Sequence, residues 1–219
     1  TNKGVLLTGI MGGLVSSTMV TWVFSKKSNE QSKLSALYTS AILAACTIMF
    51  VRGALWGFLF NKALLSGLAL PLIILFATAV AATIYFYIRD KKENSNEANI
   101  PLGKPLELTN AMWFAVLYVA ILLVISYAND YLGSSGIYIT SGIAGLSDVD
   151  AITISISKMS ASISVTTAQN AILIATLANT VAKFAIALWA SSKEMRRHVI
   201  IGYGLIIVAS AVAFGVLNV

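Results

Sequence analysis

Two short stretches of this sequence set small residues beside oxygen-bearing side chains: GGLVSSTMVT at 12–21 and AGLSDVDAIT at 144–153. Clustered glycines loosen a helix. Ser16, Ser17 and Thr18 in the first stretch, and Ser147 and Asp148 in the second, are types that cap a new helix start. The pattern is that of a helix broken in its middle. Such a start offers free N–H groups to an anion, and unwound carbonyls attract a cation. Four charges lie away from obvious loops, Arg52, Asp148, Asp150 and Lys183, and they sum to zero. Two carboxylates with hydroxyl and amide oxygens suit a hard cation or a proton. The candidate ion-binding residues are therefore Ser16, Ser17, Thr18, Thr21, Asp148, Asp150, Thr153 and Asn179. Arg52 and Lys183 would tune their charge, and Asp148 and Asp150 would be the ligands of any metal ion. For an anion, Arg52 and Lys183 become the ligands instead. Asp148 and Asp150 diverge on a helix but share a cavity if unwound. Asn179 and Lys183 share a helix face, with Thr176 one turn earlier and Asn170 on the same helix.

Each of these residues also has a plainer role. Asp148 caps a helix with or without an ion. Arg52 and Lys183 form structural ion pairs with the aspartates, or Arg52 snorkels from a helix end. The hydroxyls bond neighbouring helices, and Gly53 and Gly57 pack helices together. The four tryptophans anchor at an interface, His198 faces headgroups, and Cys46 fills apolar space.

The surroundings decide which role applies, and composition fixes the surroundings. Of 219 residues 58% are apolar and only 11% charged, with mean hydropathy +0.83. A soluble domain of this length cannot bury so much apolar surface. That excludes a soluble enzyme, a nucleic-acid module and a disordered chain. The net charge of +6 belongs to loops. One cysteine and one histidine give no disulfide framework and no histidine-built metal site. No cofactor is expected beyond a bound cation. Uncharged runs cover 4–25, 34–51, 63–88, 108–129, 131–147, 159–182 and 199–219. Most approach the roughly 20 residues that cross a bilayer as a helix. Pro71 kinks or begins its helix. No cleavable leader is expected in the first apolar run. The fold class is all-α, a polytopic helical membrane protein with two internal repeats and two broken or re-entrant segments.

The repeat rests on an ungapped match of 4–26 to 136–158 at an offset of 132, with seven of 23 positions identical. After a one-residue gap, 41–55 falls on 172–186, which pairs Arg52 with Lys183. The expected domains are a first repeat at 1–88, a polar linker at 89–107 and a second repeat at 108–219. The helix at 108–129 then lacks its counterpart before residue 1. Seven full spans would put Lys193, Arg196 and Arg197 opposite the other basic loops. If both glycine-rich segments dip in and return, loops 26–33, 89–104 and 193–198 all face the cytoplasm, as the positive-inside tendency favours. Five spans, two re-entrant segments and inverted halves result. Both topologies stay open, the inverted one preferred.

These motifs, with LANTVAKFAIAL around Asn179 and Lys183, resemble the membrane domain of unknown function found in prokaryotic MgtC/SapB-type proteins. The resemblance runs from Lys3 onward. It implies a multi-pass prokaryotic inner-membrane protein linked loosely to ion homeostasis, and it carries over no catalytic assignment. The matching positions are Ser16, Ser17, Thr18, Thr21, Asp148, Asp150, Thr153, Asn179 and Lys183. The resemblance implies an upstream MgtC-like part and a first helix, which lie outside these 219 residues. The expected function is a transporter or channel for a small ion, with cation or proton favoured, at the meeting point of the two broken helices. The alternative is a non-transporting regulatory or assembly protein of ion homeostasis. A hydrolase built on Asp130 and Asp148 is a third reading, set aside for poor motif match, so no enzyme is expected. The partners expected are the lipid bilayer, a small ion and a homodimer, and no nucleic acid.

Overall fold

The computed structural model describes residues 2–93, 123, 135–159 and 163–218. Among them every regular element is helical. The order is α1 (Asn2–Glu30), a 3-10 turn (Ser32–Leu34), α2 (Ser35–Phe60), α3 (Lys62–Glu93), α4 (135–147), α5 (Val149–Met159), α6 (Val165–Ala190) and α7 (Lys193–Leu217). Long uncharged runs of Ala, Leu and Ile satisfy their backbone internally as helices, as hydrocarbon demands. Five helices among the described residues are long and apolar enough to cross a membrane: Asn2–Glu30, Ser32–Phe60, Lys62–Asp90, Val165–Ala190 and Lys193–Leu217. The exterior is apolar too, with Leu7, Met19, Ile73, Val208 and Trp189 all exposed. The molecule is thus a multi-pass helical membrane protein. The expected helix at 108–129, the residue Asp130 and most of the linker lie outside the described residues.

Two boundaries differ from expectation. The run at 34–51 continues as helix through Arg52 to Phe60, because nothing before Asn61 breaks it. There the backbone N–H of Asn61 donates to Gly57 O (2.9 Å), and its Oδ1 accepts from the N–H of Ala63 (3.0 Å), capping α3. Pro71 neither starts nor ends α3 but lies inside it. Its ring would clash with the carbonyl of the residue four earlier, and that residue is Gly67. The Gln169 amide packs where a Gly67 side chain would begin and donates to Leu64 O (3.0 Å).

The chain divides into two compact units. Unit 1 comprises Thr1–Val51, Ile74–Lys104 and Lys183–Ala209. Its core holds Phe24, Leu37, Tyr38, Phe50, Phe86 and Tyr203. The start of α2, the end of α3, the end of α6 and the start of α7 meet at one end of it. The Phe86 and His198 rings lie tilted against each other (5.3 Å between centroids), and Ser35 Oγ lies 3.2 Å from Ser192 Oγ. Unit 2 comprises Arg52–Ile73, Pro105–Ala182 and Ser210–Val219. It buries α5 on nearly every side and joins Asn170 to Asn218 by paired side-chain amides, 3.0 Å each way.

Candidate functional site

The first glycine-rich stretch lies within α1, and the helix is broken there. Ser16 is extended (φ −159°, ψ 103°). Its Oγ accepts from the N–H of Met19 (3.3 Å), so Ser16 caps the second arm. A Cβ on Gly12 would stand 2.6 Å from Val20 Cγ2. Residues eight apart on a straight helix are separated by about 12 Å, so the chain folds back on itself here. The packing agrees. Gly9 and Gly13 abut Ala41 and Ala45, so the first arm runs parallel to α2. Phe24 in the second arm stacks on Tyr38 (5.5 Å), so that arm runs antiparallel. Both ends of α1 reach the same end of unit 1. The Asn2 amide donates to Asp90 Oδ2 (3.0 Å), and the Asn29 amide to Ala190 O (2.7 Å).

In unit 2 the second glycine-rich stretch is broken at Asp148, between α4 and α5. Asp148 Oδ1 accepts from the N–H of Asp150 (2.7 Å), the cap expected of it. Gly145 lets α4 approach α6 very closely, since a Cβ there would lie 2.5 Å from Ala175 O. The Asn179 amide donates to Gly145 O (2.8 Å) and fixes the end of α4. The Asn179 amide nitrogen is thus engaged with the backbone beside the break. Asp150, in the first turn of α5, forms an ion pair with Arg52 of α2. Asp150 is 3% exposed, and Thr153 one turn on is 0% exposed. The Thr153 hydroxyl has no hydrogen-bond partner among the described residues. Asp148, Asp150 and Arg52 together carry a formal charge of −1. At 11 residues α5 is about 16 Å long, too short for the roughly 30 Å hydrocarbon core.

The expected site residues thus fall into two sets. Asp148, Asp150, Thr153, Asn179 and Arg52 belong to unit 2, whereas Ser16, Ser17, Thr18, Thr21 and Lys183 belong to unit 1. Thr21 is buried, bonded to Ser17 O (2.9 Å) and 3.3 Å from the Tyr203 hydroxyl. Arg52 and Lys183, paired by the sequence match, have different partners: Lys183, 1% exposed, points its ammonium at Met49 Sδ (2.8 Å). Sequence reasoning missed Met49 and Gln169, because neither type signals chemistry by itself. The breaks at 16 and 148 differ by 132, the offset of the sequence match. The helix contacts differ by 130, since Gly13 meets Ala45 and Gly145 meets Ala175. The second helix of each pair is thus one residue out of step with the sequence pairing.

Residues 1–191 match the family described as "Domain of unknown function (DUF4010)". An uncharacterized protein of Aquifex aeolicus (strain VF5) is 30% identical over 194 residues, covering 88% of this chain and 84% of the relative. No solved structure matches.

Proposed function

The chain belongs to the DUF4010 family of domains of unknown function, and from that premise we propose that it is an ion transporter or channel. The substrate is a proton or small cation, handled at Asp150. The observation that carries this reading is the Arg52–Asp150 pair at the start of a short buried helix. Asp148, half-buried and two residues before Asp150, brings a second carboxylate to the same break, and carboxylates with hydroxyl oxygens suit a proton or a small cation. An anion would meet two carboxylates and one guanidinium. Arg52 then competes with the ion for Asp150: when the ion binds, the pair opens, and when it leaves, Arg52 returns. The Thr153 hydroxyl, unpartnered among the described residues, adds an oxygen ligand one turn away.

In this reading both broken segments are re-entrant, and they are the two halves of an internal repeat. The shared offset of the two breaks and the Gly13–Ala45 and Gly145–Ala175 approaches support it. The basic loops favour inverted halves with loops 26–33, 89–104 and 193–198 in the cytoplasm of a prokaryote. The ion-homeostasis setting implied by the MgtC/SapB-type resemblance fits the same proposal. The test is flux through purified protein in liposomes, with proton and sodium gradients imposed in turn. Asp150→Asn is expected to abolish flux and any ion-dependent rise in melting temperature. Wild-type flux from that variant removes Asp150 from the mechanism. No protein-dependent flux of either ion favours the regulatory alternative.

A further inference from the structure

The second arm of α1 carries Ser17, Thr21, Ser25 and Ser28, spaced four, four and three residues apart, on one helix face. All four are buried in unit 1, the last three completely. The file continues past α1. Ser28 Oγ accepts from the N–H of Ser192 (2.9 Å), and Ser192 Oγ is 3.2 Å from Ser35 Oγ. In unit 2 the arm after the second break repeats the arrangement. Asp150, Thr153 and Ser157 are spaced three and four apart, and all are buried.

Many buried hydroxyls among the described residues are satisfied by a carbonyl three or four residues earlier, as in Thr39, Thr47 and Thr83. Ser25 and Thr153 are not, and neither side chain has a hydrogen-bond partner among the described residues. Nor has Ser191, beside the end of the first file. A fully buried hydroxyl without a partner is costly, so something must bond it.

The spacing identifies what. Residues four apart on a helix rise about 6 Å, and residues three apart about 4.5 Å. Two O–H···O bonds through one water span about 5.6 Å. A dehydrated metal cation asks for about six oxygens at once, whereas each file offers about one hydroxyl per turn. Resting on the transport reading above and narrowing its ion, we infer that the two files are proton wires. One leads from the Ser16 break to the Ser28–Ser192–Ser35 cluster. The other leads from Asp150 along α5. Each hydroxyl accepts a proton on a lone pair and releases its own to the next water. Asp150 takes up and gives back a proton without other bond changes.

The test uses the full chain in liposomes with a trapped pH-sensitive dye and an imposed pH gradient. Ser25→Val removes the hydroxyl, and Ser25→Thr restores it at nearly equal volume. Proton flux is expected to fall about tenfold or more in the valine variant, a barrier rise of about 1.4 kcal/mol, and to stay near wild type in the threonine variant. Thr153→Val, which is nearly isosteric, is expected to do the same in unit 2 and decides the matter should Ser25→Val not fold. Wild-type proton flux in both valine variants overturns the inference. So does a wild type that carries sodium but no protons, which leaves the transport reading standing. A wild type that carries neither ion overturns both.

Discussion

Gly145→Ala probes the contact that holds the second break in place. The new Cβ would sit 2.5 Å from Ala175 O and 2.6 Å from Ala175 Cα. Both are backbone atoms of a long helix, so no side chain can rotate away. The helices must part by about 1 Å to reach ordinary contact distance, and overpacking of this kind costs about 1–3 kcal/mol. Parting also stretches the 2.8 Å bond from Asn179 to Gly145 O, worth about 1 kcal/mol. The gain in helix propensity, about 1 kcal/mol, offsets part of this. The net loss is about 2 kcal/mol, or about 4–8 °C in melting temperature for a chain of this size. Gly53→Ala is the control, because nothing lies within 4 Å of a Cβ there. It gains the propensity term alone, so its melting temperature should hold or rise. The assay is thermal unfolding of the purified protein in one detergent, all variants side by side. Equal shifts for Gly145→Ala and Gly53→Ala would refute the close approach of α4 and α6.

The Arg52–Asp150 pair is open to a double-mutant cycle. Breaking a buried pair costs about 3–5 kcal/mol, and with the Arg52 side chain 20% exposed the lower end applies to Arg52→Gln and Asp150→Asn. The double variant should lose less than the two singles together, and strict additivity in the melting temperatures would deny the pairing. The caps are ranked by geometry: Asp148→Ala, which loses a 2.7 Å charged cap, should cost about 1 kcal/mol or more in the same melting assay. Ser16→Ala, losing a 3.3 Å bond, should cost less, and the reverse order would contradict the placement of the caps.

Much of this was legible in the sequence because charge is scarce in apolar helices. Arg52, Asp148, Asp150 and Lys183 stand out as groups that must find partners, and Arg52 and Asp150 find each other. The breaks at Ser16 and Asp148 were legible as well, since glycine followed by a capping side chain is a local signal. Partner choice was not local. The sequence match sets Arg52 against Lys183, yet the helix contacts are one residue out of step, and Lys183 meets a thioether. Pro71 reads as a kink or a helix start, and it lies inside α3, where the residue four earlier is Gly67. The hydroxyl files were invisible for a different reason. A serine in an apolar run looks the same whether it faces lipid or the interior, and only burial distinguishes Ser25 from an exposed neighbour.

The proposed re-entrant arrangement makes α1 a hairpin whose two ends emerge on one side of the membrane, although its length would let it cross. Single cysteines at positions 3 and 26, each in a Cys46→Ser background, test this with a membrane-impermeant maleimide applied to sealed vesicles. Both positions are exposed near the ends of α1. Labelling of both from the same side is the predicted result. Labelling of one from outside and the other only after the vesicles are opened would contradict it.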